Sequence, residues 1–326
     1  MKMPSIVRKP RLSHNTKTVI QRTMDEYPIL IDNWVFAPAD EGLKGIIIQN
    51  DLDGLTSGME YSELTGLPIV GIFDYQRLWF DPKYTDIDPK ECVWIDCDVS
   101  QSDYYSIGNH VTMASNRDYS AINNFNLSNE FGIHGKRSDI FSYHYTGSTL
   151  VMIYAINKKL SALSDSGKRL VAFADGFYNN KVTFPETKMD VWLKKLNLYD
   201  DLSPVVPQGA HDTAKIAEYG RLIGEINWRK AGQWDKPFFV QYDGVVHCEF
   251  DVDRIMKLLN LTEKPAILNA TLETAMKFDT GIKNIDEMPS FQDKNGLQSV
   301  LNLPNKIFAL SFIGSNKILF NYEVPM

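Results

Sequence analysis

The chain has 326 residues, 44% of them hydrophobic and 23% charged, with a formal net charge of −7. That length allows two domains or one large one, and the composition is that of a globular protein rather than a disordered one. The acidic balance speaks against bulk electrostatic capture of duplex DNA, though not against a local basic groove.

No stretch reaches the roughly 20 apolar residues of a membrane span, and the N-terminus has no apolar signal-peptide core. The three cysteines, Cys92, Cys97 and Cys248, form no CxxC pair and no even framework,. The expectation is a cytoplasmic protein with no membrane partner and no zinc knuckle. Residues 1–22 carry Lys2, Arg8, Lys9, Arg11, Lys17 and Arg22 and no acid, a solvated tail or a nucleic-acid-contacting arm. Around residues 27–36 we expect a strand or a helix. Residues 45–49 (Gly-Ile-Ile-Ile-Gln) are a short apolar run with β-branched residues, a buried strand,. It leads into Asp51-Leu52-Asp53-Gly54-Leu55-Thr56-Ser57, and helical spacing follows from Gly58. This strand, acidic turn and helix is a ligand-binding arrangement in open α/β sheets.

Residues 68–75 predict a second buried strand, parallel to the first through a right-handed crossover. Residues 76–90 read as a polar loop. Residues 91–98 predict a third strand, ending in Asp96 and Asp98, and one helix-or-loop step later comes Gly108-Asn109-His110. A helix over 145–159 would be capped by Thr146 or Ser148. Leu170-Val-Ala-Phe-Ala-Asp175 is another apolar stretch ending in an acid. Beyond it, helices are expected over 186–198 and 212–228, hairpins over 237–250 and 306–324, and between the hairpins a helix over 252–261, a strand over 266–271 and an irregular polar segment over 284–302. The predicted architecture is α/β: a parallel-sheet domain to residue 205, a helical connector over 206–234, and a smaller α+β domain over 235–326.

Asp51, Asp53, Asp96 and Asp175 with His110 form the constellation that carries chemistry. Oxygen-rich ligand sets with one imidazole suit Mn²⁺ or Mg²⁺, and two such ions about 3.5–4 Å apart can generate hydroxide and clamp a phosphodiester. Thr56, Ser57, Ser148 and Thr149 sit at helix starts, where hydroxyls cap the helix or meet a phosphate. His134 and His144 flank a Gly/Lys/Arg/Ser segment that would bring cations to a phosphate or remain a solvated loop. Tyr104, Tyr105, Tyr119, Tyr143 and Tyr145 are candidates for base stacking or for core filling.

These motifs resemble those of the DHH phosphoesterase superfamily, and within it the RecJ-type nucleases. Asp51-Leu52-Asp53-Gly54-Leu55-Thr56-Ser57 matches its first motif, Val93-Trp94-Ile95-Asp96-Cys97 its second, and Leu170–Asp175 its fourth, an apolar strand ending in Asp. The Asp-His-His motif is represented by Gly108-Asn109-His110, and Gln49 stands where an acid is common. In one register Asn109 replaces the metal-binding histidine and His110 contacts phosphate; one residue over, His110 is the metal ligand. No Gly-Gly-Gly-His signature occurs in 235–326. The resemblance covers about residues 43–180. It implies a Mn²⁺-dependent phosphodiesterase acting on a nucleotide or a single-stranded nucleic-acid end. In it Asp51, Asp53, Asp96, His110 and Asp175 would hold metal, and Ser57, Asn109, His110, His144 and Ser148 would surround the phosphate.

Two alternatives remain. One is a DHH-like binding module with a weakened metal site. The other is a haloacid-dehalogenase-type phosphatase with Asp51 as nucleophile and Asp53 as general acid.

Overall fold

The computed structural model describes residues 29, 31–113, 123–131, 133–134, 143–176, 189–228, 237–288, 294–313 and 317–326. The basic residues 1–22, the segment 135–138, Tyr119 and the end of the predicted connector over 229–234 lie outside these residues, as do the expectations placed on them. Residues Asn33–Phe36 form a short helical turn.

Strand β1 (Gly45–Gln49) is buried along its whole length. Helix α1 (Leu52–Thr65) follows it, and β2 (Ile69–Phe73) returns parallel to β1. On the other side β1 pairs in parallel with β4 (Cys92–Ile95), which pairs in parallel with β5 (Tyr105–Ile107), and β5 with β6 (Asn124–Phe125). Strands covered on both faces read as unbroken apolar runs, which is why β1, β2 and β4 stand out in the sequence.

The sheet continues past β2 with the opposite sense. β3 (Arg77–Phe80) pairs antiparallel with β2, β9 (Glu273–Asn284) with β3, and the hairpin of β10 (Ile307–Ile313) and β11 (Lys317–Val324) pairs through β11 with β9. The result is one mixed nine-stranded sheet, in the order β10-β11-β9-β3-β2-β1-β4-β5-β6. The purely parallel sheet expected from the sequence is therefore corrected to a mixed one, and the strands of 273–324 extend it. A separate two-stranded sheet is formed by β7 (Phe238–Val240) and β8 (Val246–Cys248).

The sheet curls until β10 meets the segment beyond β4. Val99 bridges Ala309 antiparallel, Ser100 N donates to Phe308 O at 2.7 Å, and Leu310 N donates to Asp98 O at 3.2 Å. Inside the curl lies an aromatic core in which Phe308 meets Phe278 at 4.7 Å, Tyr104 at 5.0 Å and Trp94 at 5.1 Å between ring centroids. The outer face is packed by α1, α2 (Thr149–Asn157), α3 (Asp165–Phe173), α4 (Met189–Lys195), α5 (Thr213–Glu225) and α6 (Val252–Leu259). Among the described residues no helix is long and apolar enough to cross a membrane.

Several local expectations are corrected. Arg77–Phe80 is a strand and not part of a polar loop, because Leu78, Trp79 and Phe80 are buried between β2 and β9. Leu170–Asp175 is not a strand: residues 170–173 end helix α3, which Ser164 caps by accepting from Gly167 N. A six-residue apolar run does not separate a strand from a buried helix turn by periodicity alone. Ala266–Asn269 is a 3₁₀ turn with only Ile267 buried, rather than a strand. The segment expected to be irregular contains helix α7 (Lys294–Val300). Both predicted hairpins are present.

Candidate functional site

The parallel strands deliver their C-terminal ends to one edge of the sheet, and the acids gather there. Asp51 is the N-cap of α1, its Oδ1 accepting from Gly54 N at 2.8 Å. Its Oδ2 accepts from Gln49 Nε2 at 2.6 Å, and Gln49 Oε1 accepts from the Tyr75 hydroxyl at 2.8 Å. Gly54 is required at this turn, since a Cβ there would stand 2.3 Å from Gln49 O.

Asp53, in the first turn of α1, points at the start of α2. Its Oδ2 accepts from Thr149 N at 2.7 Å, and its Oδ1 accepts from Leu150 N at 3.0 Å and from Ser57 Oγ at 2.9 Å. A carboxylate facing helix N–H groups in this way satisfies donors that have no partner inside the helix. Asp96 follows β4 with a left-handed backbone (φ 61°), a conformation uncommon for a non-glycine residue, and its Oδ1 accepts from Thr149 Oγ1 at 2.8 Å,. One hydroxyl of α2 thus joins the acid of β4 to the helix that Asp53 caps.

Gly108-Asn109-His110 directly follows β5, a strand where the sequence suggested a helix or loop. Asn109 Nδ2 donates to Gly147 O at 3.0 Å and to Asp175 Oδ2 at 2.7 Å. Asp175, just past α3, joins the cluster from a helix end instead of a strand end. His110 Nδ1 lies 2.8 Å from Asp98 Oδ2, and its side chain is 36% exposed while that of Asp98 is 3% exposed.

The charges are strongly coupled. Burial, then Asp175 and Asp51, push Asp53 up to about 7. Burial, then Asp53, Asp51 and Asp175, hold Asp96 well above the usual carboxylate range. Asp175 is raised to about 6 by desolvation, opposed by His110 and reinforced by Asp51. Solvent reaches Asp175 directly, so its interactions are screened more than those of the buried Asp53 and Asp96. Burial opposes the charged form of His110, but Asp98, with Asp175 and Asp51 behind it, outweighs this and pushes the imidazole up to about 9.

Comparison with family models, curated proteins and solved structures found no match.

Of the residues predicted from sequence, Asp51, Asp53, Asp96, Asp175, Asn109 and His110 meet at this edge. Ser57 is bonded to Asp53. Ser148 Oγ caps α2, accepting from Val151 N at 3.1 Å and donating to Val171 O at 3.3 Å. The His144 carbonyl accepts from Trp192 Nε1 at 3.2 Å. Among the described residues no group of three or more His, Cys, Asp or Glu side chains is arranged to hold a metal ion.

The donor set nevertheless has the chemistry of a hard-cation site. It is dominated by carboxylate oxygen, and the nearby thiol of Cys97 is buried, held well above its ordinary pKa and bonded to Ile95 O,. Sequence reasoning read Thr149 only as a hydroxyl at a helix start and Asp98 only as an acid ending a strand, and gave Tyr75 no role. Asp98 had a signal, lying two residues past Asp96, but nothing local to it named its partners.

Proposed function

We propose that the chain is a divalent-metal-dependent phosphoesterase that hydrolyses a phosphodiester of a nucleotide or of a single-stranded nucleic-acid end. The observation that carries this reading is the convergence of four carboxylates from three segments on one sheet edge, two of them buried with raised pKa values. Like charges so buried repel, and either protons or a cation must offset them.

Mn²⁺ or Mg²⁺ would be held by Asp51, Asp96 and Asp175, with Asp53 organising the start of α2 between them. When bound, such an ion activates water and polarises the phosphoryl group. Asn109 is tied to Asp175 and Gly147, which supports the register that gives Asn109 the metal-histidine position and leaves His110 for the phosphate. In this reading the part up to residue 205 is DHH-like, and the strands of 273–324 extend its sheet.

The rim at the start of β3 supports a nucleic-acid substrate. The Arg77 guanidinium lies 5.1 Å from the Trp79 ring and 4.8 Å from that of Tyr242, which is 88% exposed. An exposed aromatic face such as that of Tyr242 accepts bases irrespective of sequence,.

A second reading, a binding module with a weakened metal site, is favoured by the full commitment of Asp53 to protein donors. The dehalogenase-type alternative gives no role to Asp96, Asp98 or His110.

Hydrolysis with Mn²⁺ separates them, using 5′-phosphorylated single-stranded DNA and RNA, linear and cyclic dinucleotides, and an aryl phosphate. The expected result is cleavage of a diester, reduced at least about 100-fold in Asp51→Ala and Asp96→Ala, the scale of losing one electrostatic contact to a transition state. Cleavage of the aryl phosphate alone, with Asp96→Ala still active, would favour the dehalogenase type. A folded protein inactive on the whole panel would favour the binding module.

A further inference from the structure

Asp98 is buried among groups that come from opposite ends of the chain. Its Oδ2 takes His110 Nδ1 at 2.8 Å and also accepts from Ser311 Oγ at 2.9 Å. Ser311 lies on β10, and the backbone of that strand grips the same loop on both sides of the pair. Leu310 N donates to Asp98 O at 3.2 Å, and Phe312 N donates to Val111 O at 2.8 Å. The carbonyl of His110 is held in turn by the side-chain amide of Asn126. Gly108 leaves room for the carboxylate, since a Cβ there would lie 2.3 Å from Asp98 Oδ1. That oxygen is buried without a hydrogen-bond partner, so the whole bonded role of Asp98 falls on Oδ2.

An ionised carboxylate only accepts, so the ring nitrogen facing it carries the proton. His110 is therefore held with its Nδ1–H toward Asp98 and Nε2 as its outward nitrogen. The adjacent residue, Asn109, is bonded to Asp175, and Asp175 and Asp51 act electrostatically on His110, so the ring lies near the acid cluster.

We propose that Asp98 and Ser311 are positioning residues that hold the His110 imidazole so that its Nε2 meets a phosphoryl oxygen of the substrate. The identity of that substrate rests on the phosphoesterase reading; the orientation of the ring does not. Strand β10 then belongs to the working end of the molecule, as do the strand ends that carry the acids.

The test uses the full chain labelled with ¹⁵N-histidine. His110 is assigned among the six histidines by the signal missing in His110→Gln. In the wild type the ring is expected to show a protonated, exchange-protected Nδ1. Asp98→Asn should abolish that signature. Ser311→Ala should shift it and speed its exchange, and Ser311→Thr should restore it. In the Mn²⁺ assay Asp98→Asn should lower kcat about 10–100-fold, the usual effect of removing the partner that orients an imidazole, with KM little changed.

A His110 signal indifferent to both Asp98→Asn and Ser311→Ala would overturn the proposal, as would an active enzyme whose kcat ignores Asp98→Asn. A responsive ring in a chain that hydrolyses nothing would uphold the positioning and overturn the phosphoesterase reading. Ser311→Ala removes a single hydroxyl, so the test stands even if Asp98→Asn fails to fold.

Discussion

Asp53 has both oxygens bonded to protein donors and yet titrates near 7, because burial and two neighbouring acids outweigh those bonds. Together with Asp96 and Asp175 it sets how stability depends on pH. The folded chain holds these protons more tightly than the unfolded chain, whose carboxyls titrate near 4. Their contribution is complete below about pH 4 and is lost as pH rises through the raised values, about 6 for Asp175 and about 7 for Asp53. His110 acts in the same direction, its contribution complete below its ordinary value and lost through about 9. The metal-free protein is therefore expected to melt at a lower temperature at pH 8 than at pH 5, with a flatter profile in Asp96→Asn. At pH 8, Mn²⁺ should raise the midpoint of the wild type and leave Asp96→Asn nearly unchanged. A wild-type midpoint that is level across this range, or that ignores Mn²⁺, would contradict the coupled-acid description. Thermal scans read by circular dichroism decide it.

The turn from β1 into α1 shows how an element fixes the place of its acids. Asp51 caps the helix and Gly54 lets it start against the end of the strand. Gly54→Ala should destabilise the chain by about 1–3 kcal/mol, the cost of overpacking, and should displace Asp53 from α2; chemical denaturation and the Mn²⁺ assay would measure the two effects. An unchanged midpoint would mean the turn yields without strain. This element was legible in the sequence because its signals are local: a buried run, an N-cap, a glycine. So were β2, β4, α5 and both hairpins. Other elements carried no local signature. β3 hides among polar neighbours and is a strand only because β9, about two hundred residues later, pairs with it. β5 is three residues long. Leu170–Ala174 is apolar enough for a strand, and the tertiary packing of α3 against α5 and α6 makes it a helix. The site divides the same way. Asp51, Asp53 and Asp96 follow readable strands, whereas Asp98 and Thr149 matter through partners that only the folded chain supplies.

At the scale of the molecule, the curled sheet encloses its own aromatic core, with Phe308 at the centre and fully buried. Phe308→Ala should cost about 3–5 kcal/mol, seen as a lower denaturant midpoint, and should loosen β10 from residues 98–100. A loss below about 1 kcal/mol would mean that the curl collapses readily onto the void. The closure has a further consequence for how the protein is made. Asp98 and Ser311 are 213 residues apart, and translation at 5–20 residues per second separates their emergence from the ribosome by roughly 10–40 s. Through that interval the nascent chain carries its acids, but the histidine beside them has no completed brace. On the proposed positioning role, the chemistry of this edge reaches its full rate only after β10 has been synthesised and has docked.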